Sequence, residues 1–369
     1  MPQRLNARDF YYKYIAPQEN YKNYQEFYQK DIWQEQLQAT QNAEELESIH
    51  SVLNFKPDRS NDFSLNEYIE IISSLIDQKL RNYLNSVFVA KRKNFIANAA
   101  AAANRGNYDG DLVYFYVGIS HLCEQYTALF APFLSLCQLK SNPGYDKNEA
   151  QRLATQISED AIKLTIALSR WQEKSSYIQL EYGLILGSMG FEVNEMDRLS
   201  FGMKAFTERF ILCHEISHHL LGHTGRTDIG SSYLQKLTPA CKLWHNTSVE
   251  HAHELQADAL AVLLLTGETD ESSKSSRDFD STENAINDAM LGALLTITAV
   301  SQIMGSMTTP SSSHPAAETR YQQCLAILEY SQRQHPGVEL FFDEDIRQFQ
   351  RMLAGTHDLI NSYSQNTES

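Results

Sequence analysis

The stretch His214-Glu215-Ile216-Ser217-His218 constrains this chain more than any other, because it reads as one helix face carrying the parts of a zinc hydrolase centre. Residues four apart on a helix lie on the same side. His214 and His218 can therefore aim two ring nitrogens at one tetrahedral Zn²⁺, about 2.0–2.1 Å from each. Glu215 follows the first of them and falls over the open side of such a metal, the place of a general base for a reacting water.

The surrounding sequence agrees with a helix. Phe201 to Cys213 reads as its first turns, with Ser200 as the expected N-cap. Leu220-Leu221-Gly222 supplies the expected glycine stop. Phe210, Ile211, His214, His218 and Leu221 fall on one stripe, so the two histidines face inward with the apolar side. A shared metal satisfies such a pair; the bland alternative is two core histidines satisfied by hydrogen bonds.

A third ligand is expected from a second helix, Val249 to Leu265. Glu254 and Asp258 are four apart there, and the residues that follow are apolar enough to bury them. A buried carboxylate pair with no cation beside it is costly. Zinc removes that difficulty if Glu254 binds the ion and Asp258 accepts the other ring N–H of a ligand histidine. Glu250, His251 and His253 are rivals for the third position, with a three-histidine site through His253 the leading one. A metzincin is excluded, since its motif needs glycine at Leu221 and histidine at Thr224.

Taken in order, His214-Glu215-Ile216-Ser217-His218, then Glu254-Leu255-Gln256-Ala257-Asp258, then Ser313-His314-Pro315 with Arg320 resemble the gluzincin metallopeptidases of the CAAX-prenyl-protease and HtpX type. The resemblance covers roughly residues 180–335. It implies a zincin-like fold, with His214, His218 and Glu254 as zinc ligands, Glu215 as catalytic base and Asp258 as the carboxylate behind them. It also places His314 and Arg320 near the substrate cleft, His314 with a catalytic part. Members of that family are often membrane-embedded or exported, and this chain shows neither trait. Its first 170 or so residues match nothing in the family.

Composition narrows the function classes. With 369 residues, 42% hydrophobic, the chain can bury one large core or two smaller ones. A formal net charge of −15 argues against nucleic-acid binding, which depends on Lys and Arg neutralising phosphates. Five cysteines, odd in number and without a CxxC pair, suit a reducing compartment rather than a disulfide framework. The first residues carry no apolar signal segment, and neither Ala289–Met304 nor the apolar run from Leu112 to Cys137 reads as a membrane span.

Most of the remaining chain reads as helix. Residues 64–104 are expected to form a long helical stretch ending in an alanine run, and Ser141-Asn142-Pro143-Gly144 is the clearest turn. Leu153, Ile157, Ala161, Leu164, Leu168 and Trp171 make an apolar stripe at helical spacing. Strand signal gathers at Tyr177–Leu186 and Gly190–Val193, a hairpin whose edge could align a peptide. Gly267 to Asn284 reads as a polar loop, either a lid or a solvated insertion. His219 and His223 are expected at the helix end as dipole partners, and His245, His335 and His357 on the surface.

The expected fold is therefore mainly α with a small β-sheet (α+β): a helical N-terminal region over residues 1–145, then a zincin-like metallopeptidase domain over 146–369. The expected function is a cytoplasmic zinc-dependent endopeptidase with one Zn²⁺ per chain and protein or peptide substrates, neither nucleic-acid-binding nor membrane-spanning. Two alternatives accompany it. One is a narrow-specificity regulatory or phage-defence protease with a sensing N-terminal region; the other is a non-catalytic, zinc-stabilised interaction protein.

Overall fold

A computed structural model describes residues 4–19, 58–93, 96–104, 106–174, 193–225, 228–270, 278–304 and 307–367. Within them the chain is mainly helical with one small sheet. After a short helix α1 (Ala7–Phe10) come α2 (Phe63–Leu75) and α3 (Gln78–Leu84), then β1 (Val87–Arg92), β2 (Ala99–Ala102) and β3 (Asp111–Tyr116). The helices α4 (Val117–Ser141), α5 (Lys147–Lys174), α6 (Val193–Leu220), α7 (Ser231–Gln235), α8 (Val249–Thr266), α9 (Phe279–Met304), α10 (Ala317–Gln334) and α11 (Asp343–Thr367) follow.

The single helical run expected over residues 64–104 is corrected to two helices and two strands. Asp62 accepts the Leu65 N–H and Asp77 the Leu80 N–H, so each aspartate starts its own helix. In β1, Val87 and Val89 enter the main core while Phe88 and Ala90 enter an aromatic cluster with Tyr11 and Tyr108 on the sheet's other face. A strand buried on both faces shows no polar alternation, which hides it from a period-two reading. The Ala99–Ala102 run has the composition of a helix, yet pairs antiparallel with β3 from Ala99↔Phe115 to Ala102↔Leu112. Tertiary pairing overrides propensity here.

The strand order is β1-β3-β2, with β1 parallel to β3. Arg59 and Asn61 bond to Val89 along the outer side of β1, whereas β2 forms the edge lying against α6. The hairpin expected just ahead of the motif helix falls at 177–193, where residues 175–192 are outside the described residues and Val193 already opens α6. Ser200 accordingly sits inside that helix instead of capping it, and its hydroxyl meets Thr127 Oγ1 on α4 at 3.4 Å.

Helix α6 is the hub, packed against α4, α8, α9, β2 and α2. Buried apolar side chains run in one cluster from Leu65 to Leu353, across the turn at Ser141–Gly144. The stripe Leu153, Ile157, Ala161, Leu164 and Leu168 is buried, and α5, which carries it, packs against α4 and α11; the Trp171 side chain is outside the described residues. Helix α9 is longer than its apolar segment suggests, because Asp278 caps it by accepting the Ser281 N–H at 2.7 Å. The polar loop thus ends near Asp278, and its residues 271–277 are outside the described ones. By length and composition α9 qualifies as a membrane span, but 78% of its most apolar stretch is buried inside the fold.

The crossing of α6 and α9 depends on Gly292. A Cβ there would lie 2.5 Å from the Phe206 carbonyl oxygen and 3.4 Å from Phe210 Cβ. Two helices cannot relax away from a backbone atom as they can from a flexible side chain. Gly292→Ala should destabilise the protein by about 1–3 kcal/mol, read as a lowered midpoint in urea at an unchanged slope. An unaltered midpoint would mean the helices are not this close.

Candidate active site

The motif helix delivers its histidines to the interior. His214, 7% exposed, and His218 point their Nε2 atoms toward each other at 3.1 Å. Helix α8 crosses them and brings Glu254, whose oxygens lie 3.5 Å from His214 Nε2 and 3.5 Å from His218 Nε2. One donor atom from each residue falls within 4.8 Å of the others. For ligands 2.0–2.1 Å from a tetrahedral ion, neighbouring donors stand ~3.3–3.4 Å apart. The three separations bracket that value, so the donor set fits zinc in size and chemistry.

The charges fit as well. With the imidazoles neutral, as metal ligands must be, Glu215, Glu254 and Asp258 face one guanidinium, that of Arg320, and a divalent cation would neutralise the two negative charges left over. Burial alone would lower His214, but Asp258 and Glu254 outweigh it and raise the imidazole to about 10. His218 goes the other way, held well below its ordinary value by burial and by His214. Burial would raise Glu254 too, yet His214 and then Arg320 and His218 keep it below the usual carboxylate range.

The carboxylate behind His214 is Asp258, fully buried, with Oδ1 2.8 Å from His214 Nδ1 in a contact whose angle falls short of a straight hydrogen bond. Contrary to the expectation of a carboxylate pair without a cation, Arg320 of α10 grips Asp258 through Nε and Nη2, both at 2.7 Å. Arg320 Nη1 is also 3.9 Å from Glu254. Arg320 lines the pocket, but its guanidinium is committed to Asp258, so the need for a cation beside Asp258 does not by itself argue for zinc. Sequence spacing could not have found this pair, since its members are 62 residues apart.

Glu215 is almost fully buried, and its Oε2 accepts the Ala101 backbone N–H at 2.7 Å. Burial is the main influence and pushes its carboxyl up. Ala101 belongs to edge strand β2, and its N–H points away from β3 toward the motif helix. Small alanine side chains let the strand approach this closely. His314 stands at the rim, 47% exposed at the side chain, with Nε2 3.6 Å from Glu254 and Nδ1 2.8 Å from Ser313 Oγ. Pro315 lies just ahead of α10, whose N-cap is Ala316. These residues open on a cavity of about 190 Å³ whose wall is largely apolar, with Ile119, Phe210, Ile297 and Val300 beside Ala99 and Glu215.

The rival ligands go elsewhere. His251 Nε2 reaches the Ser311 carbonyl at 2.9 Å and so fastens the loop that carries His314, while Glu250 is exposed in the first turn of α8. His253 stacks on His223 at 3.9 Å between ring centroids. His219 and His223 are not simple dipole partners. His219 is fully buried, with Nε2 3.2 Å from the Leu112 carbonyl. Burial, then His253, push His223 down to about 4. His335 is no plain surface residue either, since it pairs with buried Glu268 at 2.8 Å.

A helical chain with this cleft matches a known class. The family model described as Peptidase U49 matches residues 128–340, more than half of the chain and all of the His214–Arg320 cluster. The protein is therefore a peptidase, and it belongs to the peptidase U49 family. No curated protein and no solved structure was found to match it.

The Asp258–Arg320 pair carries a prediction. Burial would raise Asp258, but Arg320 and then His214 outweigh it and hold its carboxyl below the usual range. Removing Arg320 strands a buried charge, so Arg320→Met should destabilise the chelated protein by about 3–5 kcal/mol. Arg320→Met with Asp258→Leu should recover part of that loss. A lowered folded-state pKa stabilises above the unfolded value of about 3.9 and loses that contribution as pH falls through the folded value. The gap between wild type and Arg320→Met should therefore close on acidification. An additive double mutant with a pH-independent gap would show that the two do not interact.

Proposed function

We propose that this peptidase is a zinc-dependent endopeptidase of the gluzincin kind, with His214, His218 and Glu254 holding one Zn²⁺ and Glu215 as general base. The observation that carries the reading is the convergence of three donors at tetrahedral spacing beside a buried glutamate in an apolar cleft. When bound there, zinc supplies Lewis-acid polarisation of a water and of the peptide carbonyl.

The chain's own groups do the rest. Glu215 takes a proton from the attacking water and hands it to the leaving amine. An upward-shifted carboxyl suits a group that must hold that proton between the two events. The Ala101 N–H fixes one oxygen of Glu215 and leaves the other for the water. His314 is lowered by burial and so neutral near pH 7; if Ser313 donates to Nδ1, its Nε2–H faces the cleft as a donor to the developing oxyanion. Asp258 keeps the His214 proton on Nδ1 and its Nε2 lone pair toward the ion.

Along an antiparallel strand the amide groups alternate in direction. Ala99 therefore turns its amide to the same side as Ala101, toward the cleft it helps to line. An extended substrate would pair with that edge and place an apolar side chain against Ile297 and Val300. The working unit thus includes β2, N-terminal to residue 146, with the rest of 1–145 as a regulating or sensing region. Five free cysteines, four of them buried, suit the cytoplasm as its compartment.

Two outcomes test the reading. Alanine at His214, His218 or Glu254 should each strip most of the zinc from a protein that otherwise binds about one equivalent. Glu215→Gln should keep zinc content and melting temperature while peptide hydrolysis falls about 10²–10⁴-fold. Equal turnover in wild type and Glu215→Gln, or a wild type that holds no zinc, contradicts the proposal.

A further inference from the structure

Glu254 and His214 have supports in Arg320 and Asp258, but among the described residues no carboxylate stands at the Nδ1 of the second histidine, His218. Its Nδ1 instead meets His223 Nδ1 at 3.0 Å. We propose that His223 is a positioning residue, set by the turn at Gly222 and keyed by Gln256, which aims the His218 lone pair at the metal position. This rests on the zinc reading above.

The turn is built for the task. The His223 N–H bonds to the His218 carbonyl at 3.0 Å and the Gly222 N–H to the His219 carbonyl at 3.1 Å, the paired bonds of a Schellman helix end. Gly222 takes φ +74° to allow it. The chain therefore folds back so that the residue just after the glycine lies beside the residue five earlier. His253 stacks on the His223 ring at an interplanar angle of 16° and confines its plane.

Proton positions then follow from the contacts. For His218 to offer an Nε2 lone pair beside His214 and Glu254, its proton must sit on Nδ1. That N–H needs an acceptor, and His223 Nδ1 accepts only when the His223 proton is on Nε2. His223 Nε2 faces Gln256 Oε1 at 3.3 Å, an acceptor for that second N–H. The relay His218–His223–Gln256 thus fixes one tautomer from end to end. Gln256 lies on α8 two residues after Glu254, so the same helix that supplies the third donor also closes the relay.

The test is zinc affinity of the full chain, by competition with a chelating indicator. His223→Leu should weaken binding about 10–100-fold while leaving the melting temperature of the chelated protein in place. In His223→Asn the Oδ1 occupies the place of Nδ1 on the same carbon and can accept the same N–H, so it should restore most of the affinity. Gln256→Leu should weaken binding in the same direction but less, which keeps the test decisive if His223→Leu fails to fold. Wild-type affinity in His223→Leu, or an Asn variant as weak as Leu, overturns the proposal alone. A wild-type protein without zinc removes the metal reading and this inference with it.

Discussion

Asp258 is a carboxylate with no access to water, and an ion so placed must be met on every side by groups that favour its charge. Arg320 meets it from α10 with two hydrogen bonds and His214 meets it from α6. Three helices are thereby locked in register around one side chain. Stability is the lesser consequence, since buried ion pairs rarely exceed a well-packed apolar substitute. The greater one is orientation, because the ring that touches Asp258 on one edge faces Glu254 and His218 on the other.

The same logic extends outward in layers. Glu254 sits one helical turn before Asp258 and is reached by both histidines, by Arg320 and by His314. Glu215 is adjacent in sequence to His214 but is steadied from a different element, the Ala101 amide of β2. Glu215 thus depends on the sheet, while His214, His218 and Glu254 depend on the helices. That division explains why a small sheet belongs beside a largely helical cleft. It also makes residues before position 146 part of the site, although the matched family segment begins at residue 128 and leaves β2 outside it.

Some of this was legible in the sequence and some was not, for identifiable reasons. The i, i+4 pairs His214/His218 and Glu254/Asp258 are local, so spacing alone puts each pair on one helix face, and an apolar context turns those faces inward. The turn at Ser141–Gly144 and the buried stripe of α5 were readable for the same reason. Arg320 gripping Asp258 is a long-range contact that no periodicity encodes. The strands escape a sequence reading because β1 is buried on both faces and β2 is four alanines, a composition that favours helix when nothing pairs with it. His223 reads from sequence as a partner of the helix dipole, because a histidine after a terminating glycine looks like a surface cap; only the fold-back at Gly222 brings it to His218.

The central claim is that one zinc ion is held by nitrogen and oxygen from His214, His218 and Glu254. Zinc-edge X-ray absorption of the purified protein addresses it most directly, because the five cysteines offer an alternative, sulfur-based site. The account predicts a shell of nitrogen and oxygen at about 2.0–2.2 Å with outer scattering from two imidazole rings and no sulfur. Sulfur at about 2.3 Å, or a spectrum unchanged when Glu254 and both histidines are replaced by alanine, would contradict it.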